Sequence, residues 1–461
     1  MRVKMCFLAV MAVLVIVPLI GFNWKKESVS PIDNRMLTEL DFSVGDKTAQ
    51  LDSFVKDRIG FRNESINLYT LLNDRLFGEM VHPTYTYGKD GYVFFKLSAQ
   101  QADEEFIDAF CAYLQKAQEY CESRDIPFFY CINPSKTTVY SRYLPAGYTY
   151  RNDFLDSLYR KLEEYEINYI SNVELLQKKS QTEQIYNVKY DAGHWNDLGC
   201  FYGTNHLLTA VSEIFPAVKP HSPADFIRGI ELETSLPVSQ FPIQEEVPYF
   251  ENRSETLVEN RAGEYAEIRL NPNFRSFGVH INQNPGSENL PRVLFFHGSY
   301  YNGRVRFYDT SFQETYQVHN YQNFIELDYY VNLFQPDCVI LESAEYATTR
   351  GYFDIGRLRE KRLNPAYQEV KDQVCDQISL AELPYEKTEQ GGITSLHFQP
   401  EENYAFGYLQ INGTFFDLEM GDGEITCTIS SENANLKNLE KASLILFSDW
   451  PSSAQESPAL P

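Results

Sequence analysis

A carboxylate stands three residues before a histidine in Asp191-Ala-Gly-His194, and Trp195-Asn-Asp-Leu-Gly199 follows directly. A serine comes much later, in His297-Gly298-Ser299. Serine attacks a carbonyl carbon only when a base takes its proton, and a histidine serves as that base when a partner fixes its tautomer. The Asp-x-x-His spacing lets one turn supply the acid–base pair. The Asp191 carboxylate can accept a hydrogen bond from the imidazole and also cap the helix that opens here. Ser299 ends the apolar run Val293-Leu-Phe-Phe296, and in open α/β sheets sites form at the carboxyl ends of such strands. Gly298 allows a sharp turn, and the Ser299 N–H can help bind an oxyanion. These residues outline a hydrolase or acyl-transfer site with Ser299 as nucleophile, His194 as base and Asp191 orienting it. Each also has a plainer reading when taken singly, as a helix cap, a packed imidazole or a Gly-Ser turn.

Further polar residues stand near predicted strand ends. Lys136 and Arg142 could meet an acidic polymer or lie in a solvated loop. Glu342 and Glu345 could bind sugar hydroxyls or brace the site, or Glu345 could pair with Arg350. Asn302 is a candidate oxyanion donor, and Gly298 and Trp195 are candidate contacts to substrate or oxyanion. The sequence holds neither a glycine-rich phosphate loop nor a metal-ligand cluster, so neither cofactor nor metal is expected.

Placing these residues requires a particular order of elements. Amphipathic spacing predicts helices over 100–124, 152–165, 172–179, 198–211 and 321–333. Short apolar runs at 126–132, 167–170, 293–296 and 338–341 read as buried strands between them. That rhythm predicts an α/β fold, a mostly parallel sheet flanked by helices. Residues 219–290, rich in Pro and Asn with few clean periods, read as an irregular insertion. From 385 to 450 five strand candidates with Asn412-Gly413 and Gly421-Asp-Gly423 turns predict a small antiparallel β-sandwich able to hold a glycan. Residues 27–384 then form the catalytic unit, with a polar extended arm from 27 to 43, and 451–461 is a disordered tail.

Acidic residues number 64 against 40 basic ones, a net charge of −24, which argues against nucleic acid as a ligand. The eight cysteines are scattered with no CxxC pair, so zinc-ribbon spacings are excluded and most read as small core residues. The N-terminus carries a basic flank and then an uncharged apolar stretch from Met5 to Phe22, at the lower edge of a membrane-spanning length. It lacks an Ala-x-Ala cleavage pattern, so residues 1–26 read as an uncleaved single-pass anchor with the body extracytoplasmic; the alternative is secretion after cleavage.

An ordered set of landmarks surrounds the Asp/His and Ser elements. Asp33-Asn34-Arg35, Phe54 to Arg62 and Gly88-Lys-Asp-Gly91-Tyr-Val-Phe94 precede Asn133-Pro-Ser-Lys136-Thr-Thr-Val-Tyr140 and Leu144-Pro145. Pro336-Asp-Cys-Val-Ile-Leu-Glu342-Ser-Ala-Glu345 closes it. In this order, with Asp/His/Trp before the serine, the chain resembles the membrane-anchored SGNH-type proteins of the alginate O-acetyltransferase class and their Asp-His-His-Trp relatives. The family pattern is Asp-x-His-Trp with Gly-Asp-Ser or Gly-Thr-Ser; this chain has one more residue before its histidine and His-Gly-Ser at its serine. The resemblance implies acetylation of a cell-surface polysaccharide and a membrane-bound O-acyltransferase that supplies the acyl group. The altered serine motif keeps a rival open: a catalytically impaired glycan-binding or assembly component.

Overall fold

The computed structural model describes residues 2–24, 30, 32, 37–40, 46–97, 102–237, 241–400, 402–421 and 423–451. The Asp33-Asn34-Arg35 landmark, most of the 27–43 arm and the tail after 451 lie outside the described residues. A leading helix, α1 (Arg2–Ile20), exposes most of its large apolar side chains and is held at its end by Gly60 N–H donating to Pro18 O at 3.0 Å. Among the described residues no helix is long and apolar enough to cross a membrane. Helices α2 (Lys47–Arg58) and α3 (Arg62–Phe77) follow, then the hairpin of β1 (Tyr85–Tyr87) and β2 (Val93–Phe95).

The strands beyond are β3 (Phe128–Asn133), β4 (Tyr169–Ser171), β5 (Phe226–Ser235), β6 (Pro242–Asn252), β7 (Val258–Asn260), β8 (Phe277–Asn282), β9 (Val293–His297), β10 (Glu314–His319) and β11 (Cys338–Ala344). Seven of them form one sheet in the order β4-β3-β11-β9-β10-β8-β7. The first five run parallel; β8 and β7 add an antiparallel edge. β3, β9 and β11 are buried at every residue, which is why their leading stretches Phe128–Ile132, Val293–Phe296 and Cys338–Leu341 are continuous apolar runs instead of alternating ones.

Helices cover both faces of this sheet. α4 (Glu104–Glu122) packs on the Tyr130 side, with Phe110 against that ring. The next residue, Cys131, points the opposite way. There it meets Asn172, which also bonds the carbonyl of Gly203 in α5 (Asp197–Ile214). The helix expected from Tyr321 starts later: a 3-10 turn over Asn323–Glu326 leads into the α-helix Leu327–Phe334.

The stretch read as irregular, 219–290, is ordered. β5 and β6 make a long antiparallel ribbon with a bulge between Glu233 and Ser235, and β7 and β8 join the main sheet. The ribbon was hidden because its residues are mostly half-exposed and rich in glutamate, so no apolar period marks them.

Beyond the sheet lie two four-stranded antiparallel sheets that share one core. Leu396, Phe398, Cys427 and Ile429 come from one, and Leu409, Ile411, Phe416, Leu444 and Leu446 from the other. Besides the expected strands they use Asp376–Ser379 and Tyr385–Gln390 at their edges. This unit is tied to the main sheet's helices by polar contacts. Asp417 takes Arg124 at 3.0 Å and the Tyr120 hydroxyl at 2.5 Å, while Asn332 bonds its backbone N–H and C=O. No disulfide joins the eight cysteines, and all but Cys6 and Cys375 are buried.

Candidate active site

The turn that carries Asp191 and His194 is built by contacts from three other segments. Lys136, at the start of a short helix after β3, is 1% exposed. Its Nζ donates to Val93 O, Val188 O and Asp191 O at 2.8, 3.1 and 2.9 Å. Three carbonyls use its three donors, and burial pulls the amine down to about 7. The ammonium therefore shapes the loop and is not presented to a polymer, contrary to the sequence expectation. Glu245 on β6 accepts the N–H groups of Val188, Lys189 and Tyr190 at 2.5, 2.6 and 2.6 Å. Gly193 fits where it does because a Cβ there would lie 2.4 Å from the Phe95 ring.

Within this frame the Asp191 Oδ1 accepts the N–H groups of Gly193 and His194, both at 2.9 Å. The helix itself begins later: Asn196 caps α5 through Gly199 N–H at 3.0 Å, so Asp191 closes the preceding turn and is not the helix cap. The His194 Nδ1 lies 2.9 Å from Asp191 Oδ2. A carboxylate only accepts, so Nδ1 carries the proton and Nε2 is left as an acceptor. Burial raises the Asp191 carboxyl, but the His194 ring and the two backbone N–H groups outweigh it and hold it well below the usual carboxylate range.

The serine arrives from the end of β9. Gly298 leads into a 3-10 turn, Ser299–Tyr301, and Ser299 Oγ lies 2.9 Å from His194 Nε2. The N–H of Ser299 opens that turn, where no carbonyl of the turn can reach it. Trp195 is fully buried and donates its Nε1–H to Tyr300 O at 2.9 Å. It thus clamps the serine turn to the histidine turn instead of facing a substrate. A second brace runs through Asp197, which takes Arg304 at 2.9 Å, Arg306, and the Phe250 N–H at 2.9 Å.

The structure adds a residue that the sequence did not point to. The Tyr346 hydroxyl lies 2.9 Å from Ser299 Oγ and 3.0 Å from His194 Nε2, and burial pushes its pKa above the ordinary phenol value. It follows β11, whose parallel neighbour β9 carries the serine; only that shared strand-end position could have drawn notice.

The other candidates are placed elsewhere. Glu345 is buried, and its carboxylate accepts from Ser135 N–H at 2.9 Å, Thr138 Oγ1 at 2.6 Å and Asn152 Nδ2 at 2.6 Å. It binds the loop after β3, and Arg350 pairs with Asp103 and Glu105 instead. Glu342 is fully buried within β11, out of reach of sugar hydroxyls. Asn302 is exposed beyond the turn, and among the described residues its side chain joins none of the site's hydrogen bonds. Arg142 holds Ser180 O at 2.7 Å.

Beside Tyr346 and Gly193 opens a hollow of about 230 Å³, walled by Phe95, Leu97, Tyr148 and Tyr150 with Arg151 at its rim. Among the described residues no group of three or more His, Cys, Asp or Glu side chains is placed to hold a metal ion.

No family model matches the chain, and no curated protein does. Among solved structures it is similar to Bacillus cereus PatB1 bearing a sulfonyl adduct, at 15% identity and a TM-score of 0.46 over 60% of this chain and 99% of that one. It is also similar to the O-acetyltransferase domain of Pseudomonas putida AlgJ, at 15% identity and a TM-score of 0.41 over 61% and 100%. A DHHW family protein from Eubacterium siraeum stands at the same identity, TM-score and coverages.

Proposed function

We propose that the chain is a serine-dependent O-acyltransferase or acetylesterase acting on a cell-surface or exported polysaccharide. The observation that carries this reading is the unbroken line from Asp191 Oδ2 through His194 to Ser299 Oγ, with both hydrogen bonds at 2.9 Å. Nε2 takes the serine proton as Oγ attacks the acyl carbonyl, and Asp191 stabilises the imidazolium that forms. Collapse of the tetrahedral intermediate expels the donor's alcohol or thiol, which receives the proton from His194, and leaves the acyl group on Ser299. A sugar hydroxyl then gives its proton to Nε2 and attacks the ester, and Oγ leaves with that proton. In this reading the Ser299 N–H and the Tyr346 hydroxyl, which lies 2.9 Å from Ser299 Oγ, donate to the developing oxyanion.

The polysaccharide acceptor and a membrane-bound acyltransferase as donor follow from the sequence resemblance; an extracytoplasmic body, anchored by residues 1–26 or secreted after their cleavage, follows from the basic-then-apolar N-terminus and completes the proposal. A displaced or buried Ser299 would favour the rival binding-module reading; the hydroxyl meets both His194 and Tyr346, which favours the enzyme.

Acetyl-ester turnover by the full chain, measured beside Ser299→Ala and His194→Ala, tests the proposal. Loss of turnover in both variants is expected. Equal rates in all three proteins would overturn the acyl-enzyme mechanism.

A further inference from the structure

Strand β11 is buried along its whole length and carries an acid in its interior. Glu342 is 0% exposed, and among the described residues neither of its carboxyl oxygens has a hydrogen-bond partner. A carboxylate left in that state is far costlier than the neutral acid. Burial lifts its pKa well above the ordinary range, and the Gly298 N–H, which faces the carboxyl, acts in the opposite direction without overcoming it. The titratable groups around it are Cys131 on β3, its register partner, with Tyr301, Tyr308, Tyr321 and Tyr346 from the loops after β9, β10 and β11. Burial raises the pKa of each, so every one is neutral and none supplies a positive charge.

A second orphan lies beside it. Asn320 is 0% exposed and donates through Nδ2 to Glu342 O at 2.6 Å, while its Oδ1 has no partner. A Cβ built on Gly298 would stand 3.3 Å from that Oδ1. The Gly298 carbonyl is held separately, by His297 Nδ1 at 3.0 Å and Tyr301 N–H at 3.2 Å. The peptide immediately before Ser299 is therefore bordered by a fully buried carboxyl, an acceptor that needs a donor, and its own fixed carbonyl.

We propose that Glu342 is a positioning residue for Ser299: as the neutral acid it accepts from the Gly298 N–H and offers its own O–H to Asn320 Oδ1, locking the serine turn. This rests on the reading of Ser299 as nucleophile. It also removes Gly298 from the oxyanion donors expected from sequence, since its N–H faces inward to Glu342. Ionisation of the acid would remove the hydrogen bond it donates to Asn320 Oδ1 and place an anion beside the site where negative charge develops, so turnover falls as pH rises. An amide of the same shape donates and accepts at all pH values.

The test uses Glu342→Gln in the full chain, with Glu345→Gln to account for the second buried carboxyl. Infrared spectra at neutral pH read the protonated-carboxyl C=O stretch, and kcat and KM for an acetyl ester are followed from about pH 6 to about pH 10. The wild type is expected to show a carboxylic-acid band that Glu342→Gln alone removes in part. Glu342→Gln should keep kcat within about threefold near neutrality while losing the alkaline fall, with KM unchanged. Absence of a Glu342 acid band overturns the proposal whatever the kinetics. So does a band accompanied by the same pH profile in both proteins. Turnover that survives Ser299→Ala would strike the nucleophile assignment instead, and the infrared result remains readable in that case.

Discussion

Replacing Asp191 by asparagine should abolish most turnover without disturbing the fold, because the structure dictates which way the amide must point. Oδ1 accepts two backbone N–H groups at 2.9 Å, from Gly193 and His194, and only an oxygen can occupy that position. The amide NH2 then falls where Oδ2 stood, 2.9 Å from His194 Nδ1. Two donors cannot face each other, so Nδ1 loses its proton and Nε2 gains one. Nε2 now points a hydrogen at Ser299 Oγ and can no longer take the serine proton. A wrong tautomer in such a site costs about 10⁴-fold in kcat, or about 5 kcal/mol of barrier. Steady-state kinetics on an acetyl ester should show that loss in kcat with little change in KM. Circular dichroism and the melting temperature should stay near wild type, because both turn-closing N–H bonds survive. A kcat within tenfold of wild type, in a folded protein, would refute the assignment of Asp191 as the group that sets the tautomer.

Three further outcomes are expected. Tyr346→Phe removes a hydroxyl shared by Ser299 Oγ and His194 Nε2 and should lower kcat by about 10²-fold at constant KM; a change below about fivefold would reduce it to an ordering contact. Lys136, with its folded pKa pulled down to about 7, binds fewer protons folded than unfolded above that pH. Its contribution therefore makes stability rise with pH from about 7 to about 9, by roughly 1.4 kcal/mol per unit. Denaturant midpoints should show this rise in wild type and not in Lys136→Met, and parallel pH dependences would contradict it. Asp417→Ala strips the partner from a mostly buried Arg124 and should destabilise the chain by about 3 kcal/mol, read by urea unfolding, while ester turnover of the folded protein persists. A stability within about 0.5 kcal/mol of wild type would show that Asp417 does not hold the C-terminal sheets.

Much of the parallel sheet was legible because burial on both faces forces continuous apolar strands. Phe128–Ile132, Val293–Phe296 and Cys338–Leu341 carry that mark and lie in its centre. The ribbon of β5 and β6 carries no such mark, since half-exposed strands rich in charge lack a buried face to impose a period. Its role is invisible locally: Glu245 matters because three N–H groups far away in sequence converge on it.

The same division runs through the site. Asp191 and His194 were readable together because a three-residue spacing lets one turn close both contacts, and Ser299 because a glycine follows a buried strand. Those are local properties of the chain, and the sequence by itself determined them. Lys136 was misplaced for the opposite reason: it looks like a solvated loop residue until the fold surrounds it with three carbonyls. For Glu345 the sequence left sugar binding, bracing and an ion pair open, and only the fold, by bringing three donors to it, selects the bracing of the loop after β3. Tyr346 and Glu342 come within reach of the serine turn only because β11 lies beside β9. Which strands are neighbours is decided by packing across the whole sheet, so the residues that position and tune Ser299 were settled by tertiary structure alone.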